Sequence, residues 1–295
     1  MIRRHFLSMG AAATLAAAAQ SNQTKFKLRY GPHPGMFQNS AGKDIIDQIK
    51  FSADQGFTGW EDNGAMRRAP EFQSRIGQAL DQLGMKMGVF VSLADFNSSD
   101  FVTRTGREFQ DELRRTMKQA VECAKRLGAK WTTVVPNAVN NKLDPGYQTA
   151  NCISNLKAMA EVCEPAGLVM VLEPLNWYRD HPGLFLRSVP QAYAICKAVG
   201  SPSCKILDDL YHQQIDVGNL IPNMEKAWDE IAYIQTGDNP GRLEPTTGEI
   251  NYRNIFRWLH ERKFDSVVGM EHGNSKPGRE GELAVIAAYR ECDNF

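Results

Sequence analysis

Apolar positions along this chain switch repeatedly between two rhythms. Short apolar runs of strand length are followed by longer stretches with apolar residues every three or four positions, the spacing of amphipathic helices. Phe26 to Tyr30 predicts a first strand, and Lys43 to Gln55 a helix whose stripe is Ile45, Ile46, Ile49 and Phe51, ended at Gly56. Thr58 to Glu61 predicts a second strand and Pro70 to Leu83 a helix stopped at Gly84. Met85 to Leu93 predicts the third strand, Thr105 to Leu127 a long helix stopped at Gly128, and Trp131 to Val135 the fourth strand. The helix from Gln148 to Glu164 leads into Leu168-Val-Met-Val-Leu-Glu173, an apolar run that reads as a strand buried on both faces. Ser188 to Val199 predicts a helix with Ser188 as its N-cap and Pro190 in the first turn. Cys204 to Asp208, Ile231 to Thr236 and Ser266 to Met270 predict the last strands, and Ile221 to Asp229, Tyr252 to Arg262 and Arg279 to Tyr289 the helices after them.

Eight strand–helix units in alternation, with no linker or low-complexity stretch, predict one closed (β/α)8 TIM barrel over residues 26–295. An open doubly wound sheet would carry a glycine-rich phosphate loop after its first strand. Gly31-Pro-His-Pro-Gly35 has no G-x-G-x-x-G form, and its prolines stiffen it.

Acidic and basic residues number 34 each, so the composition shows no electrostatic footprint for nucleic acid or an anionic membrane. Residues 1–19 read as a signal segment of the twin-arginine type. Arg3-Arg4 precedes an alanine-rich apolar stretch too short to span a bilayer comfortably, and Ala17-Ala-Ala19 offers small residues for cleavage. The expectation is a folded protein exported to the periplasm, with no membrane association after processing and with a homo-oligomer left open. The six cysteines form no C-x-x-C pair, which argues against a zinc ribbon or a thioredoxin-like site, and none is expected to be catalytic.

The chemistry concentrates at strand ends. In a barrel the carboxyl ends of all strands face one rim, so distant residues converge there. Glu173, Asp209, Gln235 and Glu271 close the fifth to eighth strands, although strand pattern alone leaves Asp208 and Asp209 interchangeable. Three carboxylates and one amide oxygen suit one hard divalent cation, Mn²⁺ or Mg²⁺. Without a cation their mutual repulsion would raise at least one pKa. His212 and Arg242 follow on loops, where a guanidinium fork can hold a substrate carboxylate or hydroxyls.

Glu173-Pro-Leu-Asn176, Asp209-Leu-Tyr-His212, Gln235 with Pro240-Gly-Arg242, Gly248-Glu-Ile-Asn251 and Glu271 together resemble the hydroxypyruvate isomerase-like branch of the xylose isomerase-like barrel family. The resemblance covers essentially the whole chain after the leader. It implies one metal held by Glu173, Asp209, Gln235 and Glu271, with His212, Arg242, Glu61, His33 and Asn176 around a small carbohydrate-like substrate. It also implies proton transfer through an enediolate by Glu173 and Glu271, giving isomerisation or epimerisation of a keto-sugar or hydroxy-keto acid. An Arg-Asp-x-Pro-Gly segment is expected after the fifth strand; Arg179-Asp-His-Pro-Gly183 fits it one residue late.

Two rivals use related parts. The same base and metal would expel the aglycone of a 3-keto glycoside by β-elimination, and Trp60, Trp177 and Tyr178 near the rim suit a larger glycoside. A barrel phosphodiesterase would want several histidines at strand ends for a multi-zinc site. After the leader only His33, His181, His212, His260 and His272 are present, and His260 falls within a helical stretch.

Overall fold

The barrel is built from strands β1 (Arg29–Gly31), β2 (Gly59–Trp60), β3 (Lys86–Met87), β4 (Val91–Ala94), β5 (Trp131–Val135), β6 (Val169–Leu172), β7 (Cys204–Asp209), β8 (Ile231–Thr236) and β9 (Val267–Met270). These come from a computed structural model that describes residues 24–295; the expected leader over residues 1–19 lies outside the described residues. Seven strands pair in the order β1-β9-β8-β7-β6-β5-β4 and β2 pairs with β3, every pairing parallel. Backbone bonds beyond the paired residues close the ring. Glu61 N donates to Pro32 O (3.0 Å), Asp62 N to Val89 O (3.2 Å) and Thr133 N to Phe90 O (2.8 Å).

The third strand, expected as one run from Met85 to Leu93, is broken: β3 serves β2, and β4 serves β5 across a register shift between Val91 and Leu93. Gly88 lies in the gap, where a Cβ would stand 2.2 Å from the Tyr233 hydroxyl. A strand that changes partners around an inward tyrosine needs a kink and a missing side chain at that point.

Side chains alternate between two cores. Val89, Trp131, Val169, Val171, Leu207, Tyr233 and Val267 fill the barrel interior. The intervening Met170, Leu172 and Ile206 face the outer helices on one side, and Val268 and Met270 do so on the other. Each fully buried Leu, Ile or Met contributes about 1.5–3 kcal/mol.

The expected helices form at Ile45–Asp54, Pro70–Gln82, Arg107–Leu127, Pro145–Cys163, Val189–Val199, Leu220–Lys226, Tyr252–Glu261 and Gly278–Cys292. Gly128 and Gly200 end theirs with φ of 68° and 71°, the left-handed turn that favours glycine. The fourth of these helices begins three residues early because Asp144 caps it, accepting from Gly146 N, with Pro145 at the first position. Ser188 occupies its N-cap position without a side-chain bond; the Gln213 side chain accepts from Val189 N instead (3.1 Å). A helix at Leu210–Asp216, absent from the periodicity reading, follows β7 directly and carries His212. Among the described residues no helix is long and apolar enough to cross a membrane. All six cysteines are free and buried.

Candidate active site

The interior phase of each strand decides which side chains reach the rim. Two residues beyond inward Val171 comes Glu173; two beyond Leu207 comes Asp209, and two beyond Tyr233 comes Gln235. Four beyond Val267 comes Glu271. Parity therefore selects Asp209 over Asp208, whose side chain belongs to the outward phase and has a buried oxygen without a partner.

Asp209 divides its oxygens. Oδ1 accepts from Tyr211 N (2.9 Å), capping the short helix, while Oδ2 lies 3.0 Å from Arg242 Nη2 and 3.5 Å from His212 Nε2. Ligand atoms of Glu173, Asp209 and His212 fall within 4.8 Å of one another. Glu271 stands slightly apart, accepting from Asn63 Nδ2 (2.8 Å) and from Arg242 Nη2 (2.9 Å). Arg242 thus bridges two of the expected metal ligands, from a backbone with φ of 54° that a β-carbon-bearing residue rarely adopts. Gln235 donates from Nε2 to Glu61 (3.3 and 3.5 Å), and the Tyr233 hydroxyl donates to Glu61 Oε2 (3.1 Å). Glu61 fits inside the barrel because Gly269 faces it; a Cβ there would stand 2.0 Å from Oε2.

Asn176 is fully buried and its amide is committed, to His212 Nδ1 (2.6 Å) and to Asp180 (2.8 Å). A donor on Nδ1 leaves the ring proton on Nε2, which points toward Asp209. His33 sits at the cleft edge, its ring nitrogens against the carbonyls of Pro34 and His272. Trp60, expected near the rim, is instead fully buried among the outer core residues, because it lies one residue out of phase with inward Glu61. Tyr178 is exposed, and Trp177 donates to Leu184 O (2.6 Å).

Four carboxylates share this volume with one guanidinium. Burial pushes Glu61 and Glu173 well above the ordinary carboxylate range, and the charge of Glu271 adds to both. Glu271 is pushed up to about 7, by burial first, with Arg242 opposing and Asp209 adding. Asp209 is raised by burial against the pull of Arg242. Burial, with Arg242 and His181 adding, drives His212 well below its ordinary value, so the ring is neutral near pH 7.

The sequence profile of the xylose isomerase-like TIM barrel family matches residues 49–292. The chain belongs to that family. Hydroxypyruvate isomerase of Escherichia coli is 33% identical over 171 residues, which span 57% of this chain and 64% of that relative. Two solved structures share the fold. One, described as an AP endonuclease of family 2 from Brucella melitensis, superposes with a TM-score of 0.74 at 24% identity, covering 89% of this chain and 99% of that one. The other, 3-keto-D-glucoside 4-epimerase from E. coli, gives 0.73 at 17% identity, covering 90% and 100%.

Within this family fold the residues fit a divalent cation. Gln235 Oε1 is buried with no hydrogen-bond partner, and Glu61 turns the amide so that this oxygen is the free one. The Glu173 carboxylate accepts no hydrogen bond from any described residue. An unsatisfied buried oxygen such as that of Gln235 is costly unless something positive meets it. Asn63 and Tyr233 were not anticipated. Tyr233 shares its strand face with Gln235, so period two could have found it; Asn63 lies on a turn, and only the folded chain brings it to Glu271.

Proposed function

We propose that this chain is a divalent-metal-dependent isomerase or epimerase of a small hydroxy-ketone, acting through an enediolate with Glu173 and Glu271 as the proton-transfer pair. The observation that carries this reading is the placement of these two carboxylates. They rise from β6 and β9, on either side of the β7 and β8 ends that supply Asp209 and the orphaned Gln235 oxygen. Bound Mn²⁺ or Mg²⁺ would supply electrophilic stabilisation of the oxygens that gain charge when the C–H bond breaks.

One carboxylate takes the proton from the carbon bearing the hydroxyl, leaving the electron pair in the enediolate. Return of a proton to the neighbouring carbon gives the isomer, and return to the opposite face of the same carbon gives the epimer. Neutral His212, fixed by Asn176, presents Nε2–H as a donor to a substrate oxygen. Hydroxypyruvate is the first substrate to test, because the E. coli relative is named for it. Its isomerisation would be followed by proton NMR in heavy water, with chelated and Mn²⁺-reloaded protein. The expected result is metal-dependent exchange of the C3 protons, abolished in Glu271→Gln. Equal exchange in chelator, or in the variant, would overturn the reading.

A further inference from the structure

Beside Glu271 the site opens into a cleft of ≈ 390 Å³ whose lining includes His33, Asn63, Arg67, Arg68 and Glu271. Its cations are unequally occupied. Arg68 is spent on Asp62, donating from Nε (2.6 Å) and Nη2 (3.1 Å). Arg242, deeper in the site, is spent on Asp209 and Glu271. The Arg67 guanidinium makes no hydrogen bond, ion pair or ring contact with any described residue. An ideal Cβ on Gly64 would lie 3.3 Å from Asp62 Oδ1, 3.4 Å from Arg67 Nη2 and 3.7 Å from Arg68 Nη2, so both forks and an Asp62 oxygen meet over that glycine. Gly64 directly follows Asn63, whose amide holds the Glu271 carboxylate. A free, planar, always charged donor set therefore lines the same cleft as the Glu271 carboxylate.

We propose that Arg67 anchors a carboxylate of the substrate, which makes this site selective for hydroxy-keto acids over neutral ketoses. The inference rests on the isomerase reading above for the location of the reacting carbons. The remaining carbon of a short ketol held between Glu173 and Glu271 enters this cleft when it extends past Glu271. If that carbon is a hydroxymethyl group, no counter-charge is required. If it is a carboxylate, it enters a field set by Glu61, Asp62 and Glu271, of which Arg68 already compensates Asp62. A cation outside the metal site favours such a pose, and the bidentate fork of arginine matches carboxylate geometry. Arg68, locked to Asp62, fixes the turn on which Arg67 stands, and Gly64 N donating to Asp62 Oδ1 (3.0 Å) completes that lock.

Hydroxypyruvate and dihydroxyacetone form a matched pair, differing only in a carboxylate against a hydroxymethyl group. Their binding to Mn²⁺-loaded protein is measured by titration calorimetry for the wild type, Arg67→Gln and Arg67→Lys. Arg67 is exposed, so neither variant should disturb folding, and circular dichroism checks this. The expected result is a loss of about tenfold or more in hydroxypyruvate affinity for Arg67→Gln. Partial recovery in Arg67→Lys and unchanged dihydroxyacetone binding are expected alongside. Absence of hydroxypyruvate binding by the wild type, unchanged binding in Arg67→Gln, or equal weakening of both ligands overturns the anchor. Because the titration and the proton-exchange assay are separate measurements, selective binding with no proton exchange would sink the isomerase reading alone.

Discussion

Replacing Glu271 by glutamine in chelator-treated protein will flatten the pH dependence of its unfolding. In the fold Glu271 is pushed from an ordinary 4.5 up to about 7, chiefly by burial. Between those values the native state keeps a proton that the unfolded chain releases, so stability falls as pH rises. The group's contribution is fully present below its unfolded pKa and lost as pH passes through its folded value. A gap of this size corresponds to about 3 kcal/mol. The side chain is 26% exposed, so screening removes only part of that. Glu61, Glu173 and Asp209 are shifted in the same direction, and the charge of Glu271 contributes to raising the two glutamates. The variant therefore relaxes its neighbours as well. Urea unfolding in chelator, from about pH 4.5 to about pH 8, should show the wild type losing about 3 kcal/mol more than Glu271→Gln. Identical slopes would refute the account of the site as a set of carboxylates held too close in a dry pocket. Mn²⁺ should reverse the trend, stabilising most at high pH, because the ion binds the deprotonated oxygens.

Gly269→Ala places a Cβ 2.0 Å from Glu61 Oε2 and 2.9 Å from Gln235 Cγ. It should cost about 1–3 kcal/mol in urea unfolding, and weaken Mn²⁺ binding by calorimetry about tenfold or more; unchanged metal affinity would detach Glu61 and Gln235 from the metal. Asn176→Asp replaces the donor facing His212 Nδ1 with an acceptor and moves the ring proton away from Nε2. Turnover should fall about 10–100-fold with little change in folding, and an unaltered rate would mean that Nε2–H takes no part.

The sequence by itself determined the alternation of elements, the helix stops at Gly128 and Gly200, and the side chains that end four late strands. These are local matters: a period of two or 3.6 and a terminal glycine are written in neighbouring residues. Strand pattern left Asp208 and Asp209 equal, because alternation gives two faces without saying which looks inward. The interior cluster of Val171, Leu207 and Tyr233 sets that phase, and it also sends Trp60 outward into the helix layer. The break at Gly88, the Asn63 bond to Glu271 and the Arg242 bridge join residues far apart in the chain. Only barrel closure brings such groups within hydrogen-bond reach. The same closure removes their water, so burial rather than residue type sets the titration of Glu271 and the neutrality of His212.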